Sequence, residues 1–308
     1  MKIHFWTYAI ISAFLLTGCF TGIESTPKIS SSEVQRQVSS PENTPETGIN
    51  SQLIPEPLSQ WRKGREYVIT NNRISLIFSS SPASVIPQKG DTITYQGYKQ
   101  LTSIAATENT LLLFLKKGNT TDTLSYRIDR PYAELAERDV VEVPFTVDLS
   151  LIEKSRSVLK GADYYILTSS WNSTPEQRIT GRKFIKVNID DVMPGNEEYP
   201  ISVIFTDSVS RAMVLISHGL SESKRVFSSV FSITDPKLKY PAISPENWLA
   251  IQNGKLRLDM TRDECRLSIG TPKDVDHGRS YSSTYERWTY QNGAYLIFED
   301  GLLKRYRL

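Results

Sequence analysis

Most of the chain after Trp61 consists of short β-branched or aromatic runs separated by turn residues, a pattern typical of antiparallel strands. Turn signals such as Asn71-Asn72, Lys89-Gly90 and Gln96-Gly97 separate these runs. The pattern predicts strands over 67–70, 73–78, 92–95, 111–116, 123–128, 164–168, 182–189, 201–205 and 211–216. Apolar residues at helical spacing predict one helix between the two groups of strands, over 149–159, with Asp148 as its cap.

The two groups of strands are weakly similar to each other. Lys89-Gly90 precedes one strand and Lys160-Gly161 precedes another, and two hairpins match in strand length. We therefore predict two small antiparallel β-modules of barrel or sandwich type, over 59–130 and 131–240. One continuous sheet is the alternative.

The last part of the chain, 241–308, has a different pattern. Ser244 and Pro245 begin a helix, and Thr261 begins a second one with Glu264 at capping-box spacing. Three strands follow, over 284–290, 294–298 and 302–306, joined by Asn292-Gly293 and Asp300-Gly301. Both dipeptides favour two-residue hairpin turns. Two helices and a three-stranded meander form a two-layer α+β unit, so the whole chain is predicted to be a β-rich α+β protein.

This order of elements and its residues resemble the SmpA/OmlA (BamE-like) family of bacterial outer-membrane lipoproteins. The matching residues are Asp259-Met260-Thr261, Asp263-Glu264, Ile269-Gly270-Thr271-Pro272, Trp288-Thr289-Tyr290 and Phe298-Glu299-Asp300-Gly301. The chain departs from the family at Asp259, where Gly is usual, and at Cys265, where Val is usual. The resemblance implies an ααβββ domain over 241–308. It covers about a fifth of the chain, and the β-rich middle resembles only uncharacterised envelope lipoproteins.

The amino terminus has the pattern of a secretory signal, with Lys2 before an apolar segment of twelve residues. Its end, Leu16-Thr17-Gly18-Cys19, resembles the lipobox of bacterial lipoproteins. The resemblance implies cleavage of residues 1–18 and acylation of Cys19, so that acyl chains hold the protein on a membrane. An ordinary signal peptide that contains a cysteine is the alternative.

Residues 19–58 are rich in Ser, Thr, Pro, Asn, Gln and Glu, a composition that predicts a disordered tether. Phe20 follows the cysteine, and no acidic run comes directly after it. By resemblance to lipoprotein sorting rules, this favours the periplasmic face of the outer membrane over inner-membrane retention or surface export.

Charge and cysteine content argue against nucleic-acid binding and against an intramolecular disulfide. The chain has 308 residues and a formal net charge of +2, which gives no electrostatic footprint for nucleic acid. With Cys19 acylated, Cys265 is the only remaining thiol, so no intramolecular disulfide is expected.

Candidate chemistry is sparse. His218, His277 and Cys265 are the residues on which an enzyme would depend, but no metal spacing, nucleophile elbow or phosphate loop accompanies them. The position of Cys265 in the family pattern favours a small buried residue over a nucleophile. We expect no catalytic site, no metal and no cofactor.

Two features are candidates for a binding surface. Trp171 stands in a polar loop without an apolar run around it, so it is either an exposed contact residue or a buried anchor. Lys304, Arg305 and Arg307 form a basic carboxyl terminus, which could contact anionic head groups or simply protect an edge strand.

Together these features predict a non-catalytic scaffold or binding module with an envelope protein as its partner, working in envelope assembly or maintenance. A binding protein or inhibitor that captures a periplasmic enzyme or glycan through the β-rich middle is the alternative. An enzyme is the least favoured function.

Overall fold

The structure is a computed structural model that describes residues 45–81, 87–102, 108–118, 123–138, 140–220, 225–279 and 284–308. Over these residues it contains three antiparallel sheets. The chain is β-rich, with curled antiparallel sheets, as the sequence predicts. The first two sheets are separate, so the alternative of one continuous sheet is wrong. Asn43–Leu308 form one compact unit.

The first sheet has six strands in the order β2-β5-β4-β3-β1-β6. They are β1 (Glu66–Ile69), β2 (Phe78–Ser81), β3 (Thr92–Thr102), β4 (Glu108–Lys116), β5 (Thr123–Ile128) and β6 (Thr146–Asp148). Helix α1 (Pro45–Asn50) precedes this sheet, and α2 (Tyr132–Ala136) lies between β5 and β6. The core of the sheet is rich in aromatic contacts, with Phe114 at 5.4–5.7 Å from three other rings.

Two local predictions in this sheet are wrong. The strand predicted over 73–78 is wrong except at its last residue, Phe78, which begins β2. The Asn71 side chain accepts a hydrogen bond from the Arg73 N–H and begins a 3-10 helix over Asn72–Leu76 instead. Gln96-Gly97 is not a turn: Gly97, at a φ of 129°, lies in a bulge within β3. A bulge keeps both halves of a strand in one ladder, which a sequence pattern cannot distinguish from a turn.

The second sheet has seven strands in the order β13-β7-β10-β11-β12-β8-β9. They are β7 (Asp163–Ile166), β8 (Ser170–Asn172), β9 (Arg178–Thr180), β10 (Ile185–Pro194), β11 (Ile201–Thr206), β12 (Arg211–Ile216) and β13 (Phe231–Ser232). Helix α3 (Leu149–Leu159) is capped by Asp148, as predicted, and its buried side packs into the core of this sheet. The short helix α4 (Phe227–Val230) precedes β13.

The segment before the first sheet is part of the fold. The Glu46 carboxylate accepts hydrogen bonds from the Ser232 hydroxyl and the Ile233 N–H, and Leu53 is 1% exposed in the second core. Glu56 pairs with the buried guanidinium of Arg65, which also pairs with Asp148. The predicted disordered tether therefore does not extend to residue 58, because residues 45–58 find apolar and charged partners in the body.

The third sheet has the order β14-β15-β16-β17, with strands β14 (Asp274–Arg279), β15 (Thr284–Thr289), β16 (Tyr295–Glu299) and β17 (Leu302–Arg307). Two helices precede it, as predicted: α5 (Pro245–Gln252), capped by Ser244, and α6 (Arg262–Ile269), with the Thr261–Glu264 capping box. Strand β14 was not predicted, so the sheet has four strands instead of three. The core between helices and sheet includes Trp248, Cys265 and Trp288.

One of the two predicted hairpin loops is longer by a single residue, and this changes the register of the strand that follows it. Asp300 and Gly301 both have positive φ and form the predicted two-residue turn. At the other turn, the Tyr290 N–H donates to the Ala294 carbonyl at 2.9 Å, which leaves three loop residues with only Gly293 at positive φ. Trp288 therefore pairs with Leu296. The two-residue turn predicted at Asn292-Gly293 implies that Tyr295 or Ile297 lies beside Trp288. This expectation is wrong, because a shift of one residue exchanges the faces of a strand.

Strand β6 lies beyond residue 130, where the sequence placed a module boundary, and it pairs with β1. The first sheet thus takes its last strand from the segment assigned to the second module.

Candidate functional site

The predicted acylation site, Cys19, and the predicted signal peptide lie outside the described residues. Among the helices that the structure does describe, none has the length and hydropathy needed to cross a bilayer.

Trp171 is a buried anchor and not a contact residue. It is 3% exposed, its ring lies 5.0 Å from that of Phe205 in an edge-to-face arrangement, and its indole N–H donates to the Thr168 carbonyl at 2.9 Å. Gly181 lies so close that a Cβ there would come within 1.9 Å of the indole. The apolar environment comes from other strands, so the polar residues beside Trp171 in sequence did not reveal it.

The basic residues near the carboxyl terminus have two different environments. The Lys304 ammonium lies 2.6 Å from an Asp259 carboxylate oxygen, and this bond raises the pKa of Lys304. The Asp259 N–H donates to the Leu303 carbonyl, and the Leu303 N–H donates to the Met260 carbonyl. The backbone of Asp259 and Met260 therefore lies against the start of edge strand β17, and the Lys304–Asp259 ion pair stabilises this contact.

Arg305 and Arg307 instead lie on the open face of the third sheet, opposite the helices. Arg305 pairs with Ile297, and Ile297 pairs with Arg287 on the next strand; Arg307 pairs with Tyr295. Since residues paired across strands share a face, these five side chains form one surface. We call it the arginine face: Arg287, Tyr295, Ile297, Arg305 and Arg307.

The three guanidinium groups of the arginine face are exposed. Within the parts of the chain that the structure describes, no carboxylate lies at ion-pair distance from any of them. Arg287 lies 5.3 Å from the ring centre of Tyr295, a cation–π contact. Tyr295 and Ile297 are half-buried, so the face combines free positive charge with some apolar surface.

The opposite edge of this sheet is acidic. Asp274 and Asp276 of β14 pair with Thr289 and Arg287, which places them on the same face as the arginines but at its far edge. The face therefore changes from negative at β14 to positive at β17. The sequence did not predict that Arg287 belongs to this surface, because the register of its strand depends on the length of the Asn292-Gly293 loop.

The three residues on which an enzyme would depend have separate surroundings. His218 Nε2 lies 3.3 Å from a Glu142 oxygen near the second sheet, and His277, on β14, has Nδ1 3.5 Å from a Glu286 oxygen. Cys265 lies in the third core, where burial and the Glu264 carboxylate raise the pKa of its thiol to about 12. Among the described hydrogen bonds and ion pairs, none joins any two of the three.

Over the described ranges, no three His, Cys, Asp or Glu side chains converge in the way that a metal site requires. Comparisons of the chain with protein-family models, with curated proteins and with solved structures found no match.

Proposed function

We propose that this protein is a lipid-anchored, periplasm-facing outer-membrane protein that acts as a non-catalytic scaffold or binding module in envelope assembly or maintenance. The lipobox-like sequence around Cys19 supports the anchor. The SmpA/OmlA-like residues of the last fifth of the chain support the envelope role. The arginine face carries the binding part of the proposal.

The partner proposed for the arginine face is an acidic surface of an envelope protein. Guanidinium groups bind carboxylates through paired, charge-assisted hydrogen bonds. Arginine and tyrosine are also among the residues most enriched at the energetic centre of protein interfaces. The arginine face offers both kinds of contact to an acidic partner, because its three arginines have no ion-pair partner among the described residues and surround Tyr295 and Ile297.

The anchor is tested by Cys19→Ala. We expect wild-type protein grown with labelled palmitate to carry the label and to sediment with membranes, and the Cys19→Ala protein to lose both properties. A wild-type protein without label would contradict the anchor and would leave the arginine face to be tested separately.

The partner is tested by placing a photoreactive residue at Ile297 in cells and a matched one at Val209, an 82% exposed residue on the second sheet's loops. We expect a protein adduct from position 297 that is absent at 209. The adduct should disappear when Arg305 and Arg307 are both changed to Glu, because reversed charge repels an acidic surface.

Binding to anionic lipid is the competing outcome. If the purified protein instead binds vesicles rich in anionic lipid, and the double Glu variant loses that binding without any protein adduct at 297, the arginine face contacts head groups and the protein-partner proposal is wrong.

A further inference from the structure

The side chains on the open face of the third sheet form rows, because residues paired across all four strands lie side by side. Each row begins on edge strand β14 and ends on edge strand β17. In the first two rows, an aspartate stands at the beginning and an arginine at the end. The rows are Asp274, Thr289, Tyr295 and Arg307; Asp276, Arg287, Ile297 and Arg305; and Gly278, Tyr285, Glu299 and Leu302.

The charges at both ends of these rows are exposed. Over the described ranges, the two aspartates have no cation at ion-pair distance, and the two arginines have no carboxylate. Glu299, the remaining carboxylate of the face, is half-buried and also has no ion-pair partner among the described residues. A face with charges of opposite sign at its two edges is complementary to an identical face that is turned around.

Symmetry allows two ways of turning it. Two copies of one sheet can face each other through a two-fold axis that runs either across the strands or along them. An axis across the strands places β14 of one copy against β14 of the other, so that aspartates repel aspartates. An axis along the strands, between β15 and β16, places β14 of one copy over β17 of the other and keeps the rows in step. The charges therefore favour the axis along the strands.

With this axis, each edge aspartate lies over an arginine of the same row in the other copy. Asp274 meets Arg307 and Asp276 meets Arg305, and the two-fold axis repeats both pairs. Sheets packed face to face lie about 10 Å apart, a gap that an extended arginine and an aspartate bridge together. Arginine and carboxylate then form charge-assisted hydrogen bonds.

The rest of the face fits the same arrangement. In the third row, Tyr285 of one copy meets Glu299 of the other, and its hydroxyl can donate to that carboxylate. Near the axis, the half-buried Tyr295 and Ile297 lose their remaining exposure to water, which stabilises the contact.

The contact is small and therefore weak. Four strands about 4.8 Å apart, each about six residues long, make a face about 20 Å across in both directions. Two such faces bury on the order of 1,000 Å² in total, the size of transient protein contacts. An acidic partner can displace a second copy that is held this weakly.

We propose that this protein forms a two-fold dimer through the open face of its third sheet, and that the dimer covers the arginine face until an acidic partner displaces the second copy. This regulatory role rests on the proposed function, because it requires that partner. The dimer itself requires only the charges and the apolar centre of the sheet.

The test is sedimentation equilibrium of the purified full chain in a density-matched nonionic detergent. We expect the wild type to dimerise reversibly up to about 0.3 mM, as fits a transient contact, and to dimerise more weakly in about 0.5 M NaCl, which screens ion pairs. A wild type that stays monomeric throughout this range would overturn the proposal.

Two edge variants test the pairing of the rows. Asp274→Arg with Asp276→Arg makes both edges basic, and Arg305→Asp with Arg307→Asp makes both edges acidic. We expect each variant alone to associate at least about tenfold more weakly than the wild type, because like charges then face each other. An equal mixture, with a dye on one variant, should form a heterodimer, because opposite charges meet again in every pair. Association of either variant at wild-type strength, or a mixture without a heterodimer, would contradict the dimer.

A matched control separates this pairing from net charge. Glu246→Arg with Asp263→Arg makes the same change of net charge as the basic edge variant, at exposed positions of helices α5 and α6. This control should dimerise like the wild type and should form no heterodimer with the acidic edge variant. A heterodimer of these two proteins would show that net charge, and not the rows of the sheet, drives association.

The basic edge variant also separates the dimer from the proposed function, because it keeps all three arginines of the arginine face. In cells, a photoreactive residue at Ile297 of this variant should keep its adduct with an envelope protein and lose any adduct with a second copy. An envelope-protein adduct in a wild type that is monomeric when purified would overturn the dimer alone. A dimer without any such adduct would support the dimer and contradict the acidic partner and its displacement of the second copy.

Discussion

At the residue scale, Trp288 shows how much one side chain contributes to the third core. It is fully buried, its ring centre lies 4.6 Å from that of Phe298, and the Arg266 guanidinium lies 4.7 Å above it. We expect Trp288→Ala to lower the free energy of unfolding by about 3–5 kcal/mol, because a large core truncation leaves a cavity. Urea denaturation measures this change, and Gln291→Ala, at an exposed loop position, is the control. Equal effects of the two substitutions would show that Trp288 is not in a core.

Cys265 gives a prediction about reactivity. With the pKa of its thiol at about 12, the thiolate fraction at pH 8 is about one in ten thousand. We expect iodoacetamide to leave Cys265 unmodified in the native protein and to modify it in urea, as read by mass spectrometry of its peptide. Rapid alkylation of the native protein at pH 8 would contradict the burial of this thiol.

The same shift predicts a pH dependence of stability. The folded pKa lies above the ordinary value of 9.0, so the folded state retains the proton longer than the unfolded chain does. The contribution of Cys265 is therefore fully present below about pH 9 and is lost as the pH rises toward 12. Cys265→Ala should remove this part of the alkaline decline in the urea midpoint.

At the element scale, Glu264 joins helices α5 and α6. Its carboxylate accepts hydrogen bonds from the Asn247 side-chain amide at 2.7 Å and from the Thr261 N–H at 2.7 Å, and the residue is 5% exposed. We expect Glu264→Ala to cost about 2–3 kcal/mol, because it leaves buried donors without acceptors. Thr261→Ala should cost about 1 kcal/mol through loss of the cap.

Asp263 is the matched control for this pair, since it lies in the same helical turn with its side chain exposed and paired to Arg266. Asp263→Ala should change the free energy of unfolding by no more than about 0.5 kcal/mol. An effect of Glu264→Ala as small as this would mean that the capping box does not link the two helices.

The elements with local signals could be predicted from the sequence. Helices α3, α5 and α6 have caps that lie within a few residues of their starts, and strands such as β11 and β12 have long apolar runs. Strand β14 (Asp274–Arg279) contains few apolar residues and no alternating pattern. Its pairing with β15 is what holds it in an extended conformation. Such strands depend on a partner far along the chain, which a local pattern cannot reveal.

The candidate site was predictable only in part, for the same reason. Arg305 and Arg307 belonged to the predicted surface, and the structure places both on the arginine face. Arg287 joined them through the register of β15 and β16, which one extra loop residue decides. Trp171 is buried against Phe205, and Lys304 is exposed but forms an ion pair with Asp259. Both partners are distant in sequence, so no local pattern indicated that these two residues do not belong to the binding surface.

At the scale of the whole molecule, the position where the folded body begins decides how far from a membrane the proposed anchor at Cys19 would let it lie. The structure assigns residues 45–58 to the body, where Asn50 exchanges two hydrogen bonds with Ser228. At most residues 19–44 then remain for the predicted tether. A coil of about 26 residues has a root-mean-square reach of about 25–30 Å, against about 30–40 Å for the longer tether predicted from composition.

Leu53 tests where that body begins, and Leu76 is its matched control. Leu53 is 1% exposed in the core of the second sheet, whereas Leu76 is 80% exposed on a 3-10 helix. We expect Leu53→Ala to lower the free energy of unfolding by about 2–5 kcal/mol, because its cavity lies beneath packed strands. Leu76→Ala should change it by no more than about 0.5 kcal/mol. If the two substitutions had equal effects in urea denaturation, residues before Leu58 would not be part of the fold, and the longer tether would be restored.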